Sequence, residues 1–403
     1  MAIDNKDKKV LKSSIEREQN EVACSAECEK IKGSKNLNVP HLRFPEFSEE
    51  WDSFKLVELG KFIGGGTPSS SNLSFWTGSI PWISSSDIKE DNINNISISR
   101  YITEDAIEKS ATKYCPAPVI LIVSRVGVGK VALSHTSLCT SQDFCNIIDI
   151  KCHPVFLSYN LLRTMKRKSR EVQGTSIKGI TSDELQKIRV FIPKNKDEQN
   201  KISNLLTLLD ERIATQNKII YKLKSLIRGI AQNMVHRGKP NVRLSDCMIC
   251  NSSTLQESEV LESGTYPVYG ANGIVGYLDC YATLNEAIYI IKDGSGVGTV
   301  FYVAGKCSAA GTLNTLQAKE GYSLQYLYYL LTVFNFEPYK TGMAIPHIYF
   351  KDYGKAKVFC PSHSEQFKYT KLLSTIDSKL LAEQNALVNY NLQKQYLLRQ
   401  MFI

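Results

Sequence analysis

The sequence predicts a mixed α/β protein in which two tandem globular domains are each followed by one long helix. Two observations support this: the chain repeats itself at a domain-sized interval, and each copy ends in a heptad pattern of apolar residues. We expect the two helices to form an antiparallel coiled coil, which would relate the halves by pseudo-two-fold symmetry. The expected order is a polar tail at 1–38, a domain at 39–192, a helix at 193–240, a domain at 241–360 and a helix at 361–403.

The repeat shows in matched residues. The stretch "PKNKDEQNKISNLLTLLDERI" from Pro193 aligns with "PSHSEQFKYTKLLSTIDSKLL" from Pro361, and Asp210 then matches Asp377. The offsets are 168 and 167 residues (361 − 193 and 377 − 210), which is the length of a domain and far above a solenoid period. The chain is therefore predicted to hold two diverged copies of one unit.

Each copy ends in apolar residues at alternating steps of three and four, the 3.5-residue spacing of a coiled-coil seam. Gln216 and Glu383 are polar interruptions at the same point of the two copies. They would fix the register of the pair, or else they face solvent beside a splayed turn. The predicted seam positions are Ile202, Leu206, Leu209, Ile213, Gln216 and Ile220 in the first helix, and Leu373, Ile376, Leu380, Glu383 and Leu387 in the second.

Composition is that of a globular protein with two to three domains. The 403 residues are 43% hydrophobic and 22% charged. No apolar run approaches the roughly 18 residues of a membrane span, and the N-terminus lacks the core of a signal peptide. We therefore expect a cytoplasmic protein whose eleven cysteines are reduced. Cys247 and Cys250 form a lone CxxC, so no metal site is predicted.

Charge is unevenly distributed along the chain. Residues 193–240 hold ten Lys/Arg against four Asp/Glu, whereas residues 241–360 hold eight against ten. The basic excess of the middle segment suits a polyanion or an acidic protein partner. The alternative is an ordinary solvated helix face.

The stretch "IVSRVGVGKVALS" from Ile122 raises the alternative of a nucleotide-binding enzyme. A phosphate loop needs GxxxxGK followed by Ser or Thr, but Ser124 replaces its first glycine and Val131 its hydroxyl residue. The second copy reads "GVGTV" at this place, so the lysine is not repeated. We predict a glycine turn between strands, with Arg125 and Lys292 as matching basic residues.

Common catalytic motifs are absent from the sequence. It contains no Pro-Pro pair for the (N/D)PP(Y/F) clamp of adenine methyltransferases, no Pro-Asp of common metal-dependent nucleases, no H-E-x-x-H and no G-x-S-x-G. The sequence therefore predicts a chain without catalytic residues, cofactor or metal.

Several motifs together resemble the specificity (S) subunits of type I restriction–modification systems, the HsdS family. They are "VPHLRFPEF" from Val39, "GGGTPS" from Gly64, "GTSIKGIT" before "IPKNKDEQNKI", and "YPVYGANGIVGY" from Tyr266. The likeness runs from about Val39 to the C-terminus, although both helix entries depart from the family's "PLPPLEEQ" form. The 38 residues before Val39 exceed the usual start of the family pattern, so we expect them to be a tail or the result of a misassigned start codon.

The resemblance implies different roles for the globular domains and the long helices. Two target-recognition domains would each read one half of a bipartite double-stranded DNA site. The helices would set the gap and bind two methyltransferase (M) subunits, with restriction (R) subunits joining through the complex. An S subunit of a fused, type IIB-like restriction–methylation enzyme fits equally well, and a coiled-coil scaffold without DNA function is a further alternative.

Polar and basic residues on the predicted loops are the candidate DNA contacts. Arg and Lys bind phosphates and guanine edges, whereas Asn and Gln suit adenine edges. For Tyr269 and Asn272 the alternative is a turn residue with a structural hydrogen bond. The candidates are Ser84, Ser85, Asp87, Arg125, Lys130, Gln142 and Lys178 in the first domain, and Tyr269, Asn272, Lys292, Ser295, Lys340 and His347 in the second.

Overall fold

The computed structural model describes residues 38–172 and 179–403. The chain forms two compact units, and each contains one globular domain together with segments of both long helices. We call them the N-unit (residues 38–216 and 386–403) and the C-unit (residues 217–385). The predicted N-terminal tail lies, except for its last residue, outside the described residues.

The N-unit is built on two four-stranded sheets with the orders β2-β9-β6-β7 and β4-β3-β8-β5, and β1 pairs with β10. The β3–β8 pair is parallel, so the second sheet is mixed. The strands are β1 Asp52–Lys55, β2 Lys61–Gly64, β3 Ile80–Ile83, β4 Arg100–Ile102, β5 Tyr114–Cys115, β6 Val119–Ile122, β7 Val131–Ser134, β8 Leu138–Thr140, β9 Cys145–Ile148 and β10 Arg189–Ile192. The helices are α1 Leu56–Leu59, α2 Glu104–Glu108, α3 Pro154–Val172 and α4 Ser182–Lys187.

Strand β6 is central to the N-unit because both of its faces are buried. Ile120 and Ile122 belong to the same core as Phe156 of α3, whereas Val119 and Leu121 pack into a second core with Ile83 of the other sheet. Successive residues of a strand point to opposite faces, so the unbroken apolar run "VILI" serves two cores at once.

The C-unit repeats this plan. Its main sheet has the order β12-β18-β15-β16, with β15 between β16 and β18 as β6 lies between β7 and β9. Smaller sheets follow the orders β14-β13-β17 and β11-β19. The elements are β11 Val242–Arg243, β12 Met248–Ser252, β13 Tyr266–Gly270, β14 Gly273–Leu278, β15 Glu286–Ile291, β16 Val300–Ala304, β17 Ser308–Ala309, β18 Leu313–Ala318 and β19 Lys357–Val358, with helices α6 Leu244–Cys247, α7 Leu324–Val333 and α8 Phe350–Tyr353.

The two predicted long helices are confirmed as α5, Lys196–His236, and α9, His363–Gln400. In the N-unit the beginning of α5 lies beside the end of α9, because Ile202 shares a core with Met401. In the C-unit the end of α5 lies beside the beginning of α9, because Met234 shares a core with Leu373. The helix segments within each unit are therefore antiparallel.

Seam positions are shielded from solvent along both helices. Gln216 is only 3% exposed, so the alternative that it faces solvent is wrong. Glu383 is half-buried, and its carboxylate lies 2.5 Å from the ammonium of Lys379. The buried seam positions are Ile202, Leu206, Gln216, Ile220 and Leu373, and the half-buried ones are Leu209, Ile213, Ile376, Leu380, Glu383 and Leu387.

A tyrosine–aspartate hydrogen bond joins a domain helix to a long helix in each unit. Tyr159 of α3 donates to Asp210 of α5 at 2.8 Å, and Tyr329 of α7 donates to Asp377 of α9 at 2.5 Å. Asp210 also forms a buried ion pair with Lys394 of α9. Among the described residues, no cationic group lies within ion-pair distance of Asp377. Burial raises the pKa of the Asp377 carboxyl, and the hydrogen bond from Tyr329 opposes that rise.

The turn that resembles a phosphate loop joins antiparallel strands β6 and β7. Val123 N donates to Lys130 O at 3.1 Å, and Gly129 has φ +111°. In the C-unit, Ile291 N donates to Thr299 O at 3.0 Å across the turn between β15 and β16. The predicted glycine turn between strands is confirmed, because a strand follows where a phosphate loop would open a helix.

Candidate nucleic-acid interface

Loops of the N-unit meet around the β6–β7 turn. The Lys130 ammonium donates to the carbonyl oxygen of Ser85 at 3.1 Å, and Ser124 N donates to Asp143 O at 2.8 Å. The Thr67 hydroxyl is hydrogen-bonded to the Gln142 side chain. We call this surface the N-face: residues 64–67, 84–87, 124–130 and 141–144.

Three of the predicted N-face contacts are held inside the protein. Arg100 donates to Ser84 Oγ at 2.6 Å and to the Asp87 carboxylate, while its guanidinium lies 4.6 Å from the centroid of the Trp82 ring. Asp87 also accepts from the backbone N–H of Ser84 at 2.8 Å. Ser84 and Asp87 therefore shape their loop, as Lys130 does by joining its turn to the Ser85 backbone.

Arg125 and Gln142 are the two predicted residues whose side chains are exposed on the N-face. The Arg125 backbone N–H donates to Asp143 O at 3.3 Å, which fixes the root of its side chain. A guanidinium and an amide on neighbouring rigid loops can donate to phosphates or base edges. Lys178, also predicted for this surface, lies outside the described residues.

The C-terminal end of α3 supplies basic residues that sequence reasoning missed. Gly129 lies so close to this helix that a Cβ there would be 3.1 Å from Ser169. Arg167 and Arg170 are exposed on the same helix end. The run "KRKSR" was the available signal, because clustered basic residues at a helix end make a cationic patch. The sequence could not show that this helix end adjoins the glycine turn.

The C-unit has an equivalent surface. Ser141 N donates to Ile83 O in the N-unit, and Ala310 N donates to Tyr269 O in the C-unit, each at 2.8 Å. Lys292 N donates to Thr312 O at 3.0 Å, which brings the β15–β16 turn to the same edge. We call this surface the C-face: residues 269–273, 292–299, 310–312 and 340–347.

Tyr269 and Asn272 occupy the β13–β14 hairpin of the C-face. The Tyr269 ring is half-buried, with its centroid 6.0 Å from that of Tyr289 and 6.3 Å from that of Phe301. Asn272 is exposed in the two-residue turn of the hairpin. Tyr269 therefore packs as a structural residue, and Asn272 presents its amide to solvent.

The remaining C-face residues differ in how much they are engaged. The Lys292 ammonium donates to Ser252 Oγ at 2.7 Å, and Lys340 pairs with Glu337 at 2.6 Å. His347 Nδ1 lies 2.6 Å from the Asp293 carboxylate. Ser295 is exposed at the tip of the turn.

The predicted equivalence of Arg125 with Lys292 is wrong by one residue. Ile180 N donates to Ser124 O at 2.7 Å, and the matching Ile348 N donates to Lys292 O at 2.9 Å. Lys292 therefore stands in the backbone position of Ser124. Because successive side chains of an extended chain point to opposite faces, the two basic side chains serve different contacts.

The part of the chain that the structure describes shows no other chemical site. No three His, Cys, Asp or Glu side chains gather as they would around a metal ion, and no helix is long and apolar enough to cross a membrane. Cys247 and Cys250 are free thiols.

The chain matches a family model described as type I restriction modification DNA specificity domain, over residues 48–225 and again over 240–390. Among curated relatives, the type I restriction enzyme MjaIX specificity subunit of Methanocaldococcus jannaschii is 33% identical over 187 residues, covering 43% of this chain and 42% of the relative. The EcoR124I/EcoR124II specificity subunit of Escherichia coli is 34% identical over 177 residues, covering 42% and 43%. These matches span less than half of either relative. The EcoprrI specificity subunit of Escherichia coli is 23% identical over 363 residues, covering 82% and 88%.

Two solved structures share the fold. The S subunit of a type I restriction–modification system from M. genitalium superposes with a TM-score of 0.60 at 19% identity, covering 91% of this chain and 99% of that one. A second solved chain comes from a structural study of the assembly and conformational transition of a type I restriction–modification system. It superposes with a TM-score of 0.55 at 14% identity, covering 87% of this chain and 96% of that one. At such identities the likeness concerns the fold alone.

Proposed function

Because the chain belongs to the type I restriction modification DNA specificity family, we propose that it is the DNA-recognition subunit of a type I restriction–modification complex. The duplicated loop surface carries this proposal: the N-face and the C-face each stand on equivalent strands of their own unit, and equivalent backbone hydrogen bonds hold the loops together within each unit. Two copies of one surface in one chain suit a target with two half-sites. The domain at 39–192 would read one half, and the domain at 241–360 the other.

The side chains divide into those that touch DNA and those that hold loops. Arg125, Gln142 and Asn272 are exposed donors suited to base edges, whereas Arg167 and Arg170 suit phosphates. Lys178, Ser295 and His347 remain predicted contacts. Ser84, Ser85, Asp87, Lys130, Tyr269, Lys292 and Lys340 would act by keeping the loops in shape.

The helices would set the gap between the half-sites and dock two methyltransferase subunits, through which restriction subunits join. Outward-facing apolar residues support a protein partner, because large exposed side chains gain free energy when they are covered. Tyr221 and Val388 are exposed at equivalent positions of the repeat (388 − 221 = 167). Leu392 and Tyr396 continue the exposed stripe along α9.

In this function the chain directs its partner subunits to a DNA sequence and catalyses no reaction itself. It would work in the cytoplasm, where the DNA is. The names of the curated relatives favour a type I complex over a fused, type IIB-like enzyme. A nucleotide-binding enzyme is not favoured, because the Lys130 ammonium donates to the Ser85 backbone and a strand follows the turn.

Methylome sequencing tests the proposal. The full chain is co-expressed with the methyltransferase encoded beside it, in a host without other adenine methylation. We expect methylation on a two-part motif with a constant gap. Exchanging residues 39–192 for the corresponding domain of a relative should change one half of the motif and leave the other half intact. Methylation without a bipartite motif, or a motif indifferent to the exchange, would refute the proposal.

A further inference from the structure

We propose that Met343 and Ile345 form an apolar wedge that the C-unit presses between or against the bases of its half-site. This inference rests on the proposed DNA-recognition function and names a contact within it. The Met343 side chain is fully exposed, and Ile345 is 58% exposed. Two large apolar side chains on one loop leave an uncovered surface that gains free energy when it is buried.

The loop that carries the wedge is closed by its own backbone. Thr341 N donates to His347 O at 2.9 Å, and His347 N donates to Thr341 O at 2.7 Å. Gly342 has φ +87°, and a Cβ there would overlap the Ile345 carbonyl oxygen. Only glycine suits that position. The two apolar side chains are thus presented by a fixed backbone.

The same loop is attached to the β15–β16 turn of the C-face. Gly294 N donates to Pro346 O at 3.0 Å, and His347 Nδ1 lies 2.6 Å from the Asp293 carboxylate. A ligand that lies on the turn therefore meets the wedge as well. Wedges of Met or Ile that enter a base step and unstack it are a known device of DNA-binding proteins.

Aromatic and cationic groups flank the wedge. The rings of His347 and Tyr349 are stacked, with their planes inclined by 22° and their centroids 6.5 Å apart. The Lys351 ammonium lies 5.2 Å from the centroid of the Tyr349 ring, and Tyr349 is half exposed. Aromatic faces suit bases and an ammonium suits phosphates, so the surroundings favour nucleic acid over an apolar protein partner.

The two recognition surfaces differ in charge, and this difference favours an apolar contact on the C-face. The N-face carries exposed Arg125, and its glycine turn adjoins the helix end on which Arg167 and Arg170 are exposed. The domain at 241–360 holds eight Lys/Arg against ten Asp/Glu, and its Lys292 and Lys340 are engaged within the protein. Attraction to phosphates is therefore weaker on this side. Apolar burial is a source of affinity that does not depend on charge.

The test uses the full chain assembled with its methyltransferase subunits and a fluorescent duplex that carries the motif found by methylome sequencing. Met343→Ala should raise Kd by about tenfold to a hundredfold, as expected for losing the burial of one large apolar side chain. The slope of log Kd against log salt should stay unchanged, because no phosphate contact is lost. A 2-aminopurine placed at unmethylated adenines of the C-unit half-site should brighten on binding of the wild type and stay dim with Met343→Ala.

Leu284→Ala is the matched control. Leu284 is 54% exposed and precedes β15, whereas the wedge loop contacts the residues that follow this strand. The control should bind within about twofold of the wild type, since it removes a similar side chain from the other end of β15. If Met343→Ala binds like the wild type, or if both variants lose affinity equally, the wedge is refuted. A variant that assembles poorly yet binds DNA normally once assembled would assign Met343 to a protein contact instead. Failure of the wild type to prefer the bipartite duplex would instead refute the proposed function.

Discussion

Replacing the repeat-equivalent carboxylates Asp210 and Asp377 by asparagine should destabilise the protein at Asp210 but not at Asp377. The Asp210 and Lys394 side chains are 3% and 5% exposed, and the Lys394 ammonium also donates to the carbonyl oxygen of Asp91 at 2.5 Å. Asp210→Asn leaves a buried ammonium without a counter-charge. Breaking one partner of a buried pair costs about 3–5 kcal/mol, which lowers Tm by about 6–20 °C at about 2–4 °C per kcal/mol for a unit of this size.

Asp377 lacks such a partner among the described residues, and burial raises its pKa. The folded state therefore binds the proton more readily than the unfolded state. The stability linked to this group is fully present below the unfolded pKa and is lost as pH rises through the folded pKa. At neutral pH, Asp377→Asn removes the cost of burying a charge, and its amide oxygen still accepts from Tyr329. We expect unchanged or slightly higher stability and a flatter pH profile.

Calorimetry of the thermal unfolding of the full chain, carried out from pH 4 to pH 8, measures both effects. The repeat supplies a rescue, because Ile227 stands where Lys394 stands in the other unit (394 − 227 = 167). Lys394→Ile should therefore recover most of the stability lost in Asp210→Asn, since the double variant no longer buries an unpaired charge and the amide oxygen at position 210 can still accept from Tyr159. Equal destabilisation by the two asparagine variants, or no effect of Asp210→Asn, would show that the reasoning is wrong.

Three further outcomes are expected. Arg167→Gln with Arg170→Gln should weaken DNA binding for all sequences and reduce the salt slope by about 0.9 per phosphate contact, measured by anisotropy titration. Gln142→Ala should reduce the base specificity at one position in one half of the methylated motif and leave the other half unchanged, as measured by methylome sequencing. Gly129→Ala should lower the free energy of unfolding by about 1–3 kcal/mol in denaturant titration, because the residue has φ +111° and its Cβ would approach Ser169 at 3.1 Å; stability equal to wild type would contradict that account.

Exposure of the candidate DNA contacts was the part that sequence reasoning could not judge. Asp87 and Gln142 are both polar loop residues, yet Asp87 is held by Arg100 and Gln142 reaches solvent. No sequence motif marks Arg100 as a partner of Asp87. The two residues meet only because strands β3 and β4 pair. The same holds for Arg167, whose helix end reaches the β6–β7 turn through packing between distant segments.

The sequence by itself determined the duplication, the two long helices and the glycine turn between strands. Each depends on a pattern of near neighbours: the heptad step for α5 and α9, and an apolar run ending in glycines for β6 and its turn. Tertiary structure alone decided which polar side chains form hydrogen bonds within the protein and are not free to contact DNA. Those bonds join residues that are far apart in the sequence, such as Lys130 and Ser85, which are 45 positions apart. It also decided that Ser124, and not Arg125, stands where Lys292 stands, since hydrogen bonds between loops set that register and sequence similarity does not.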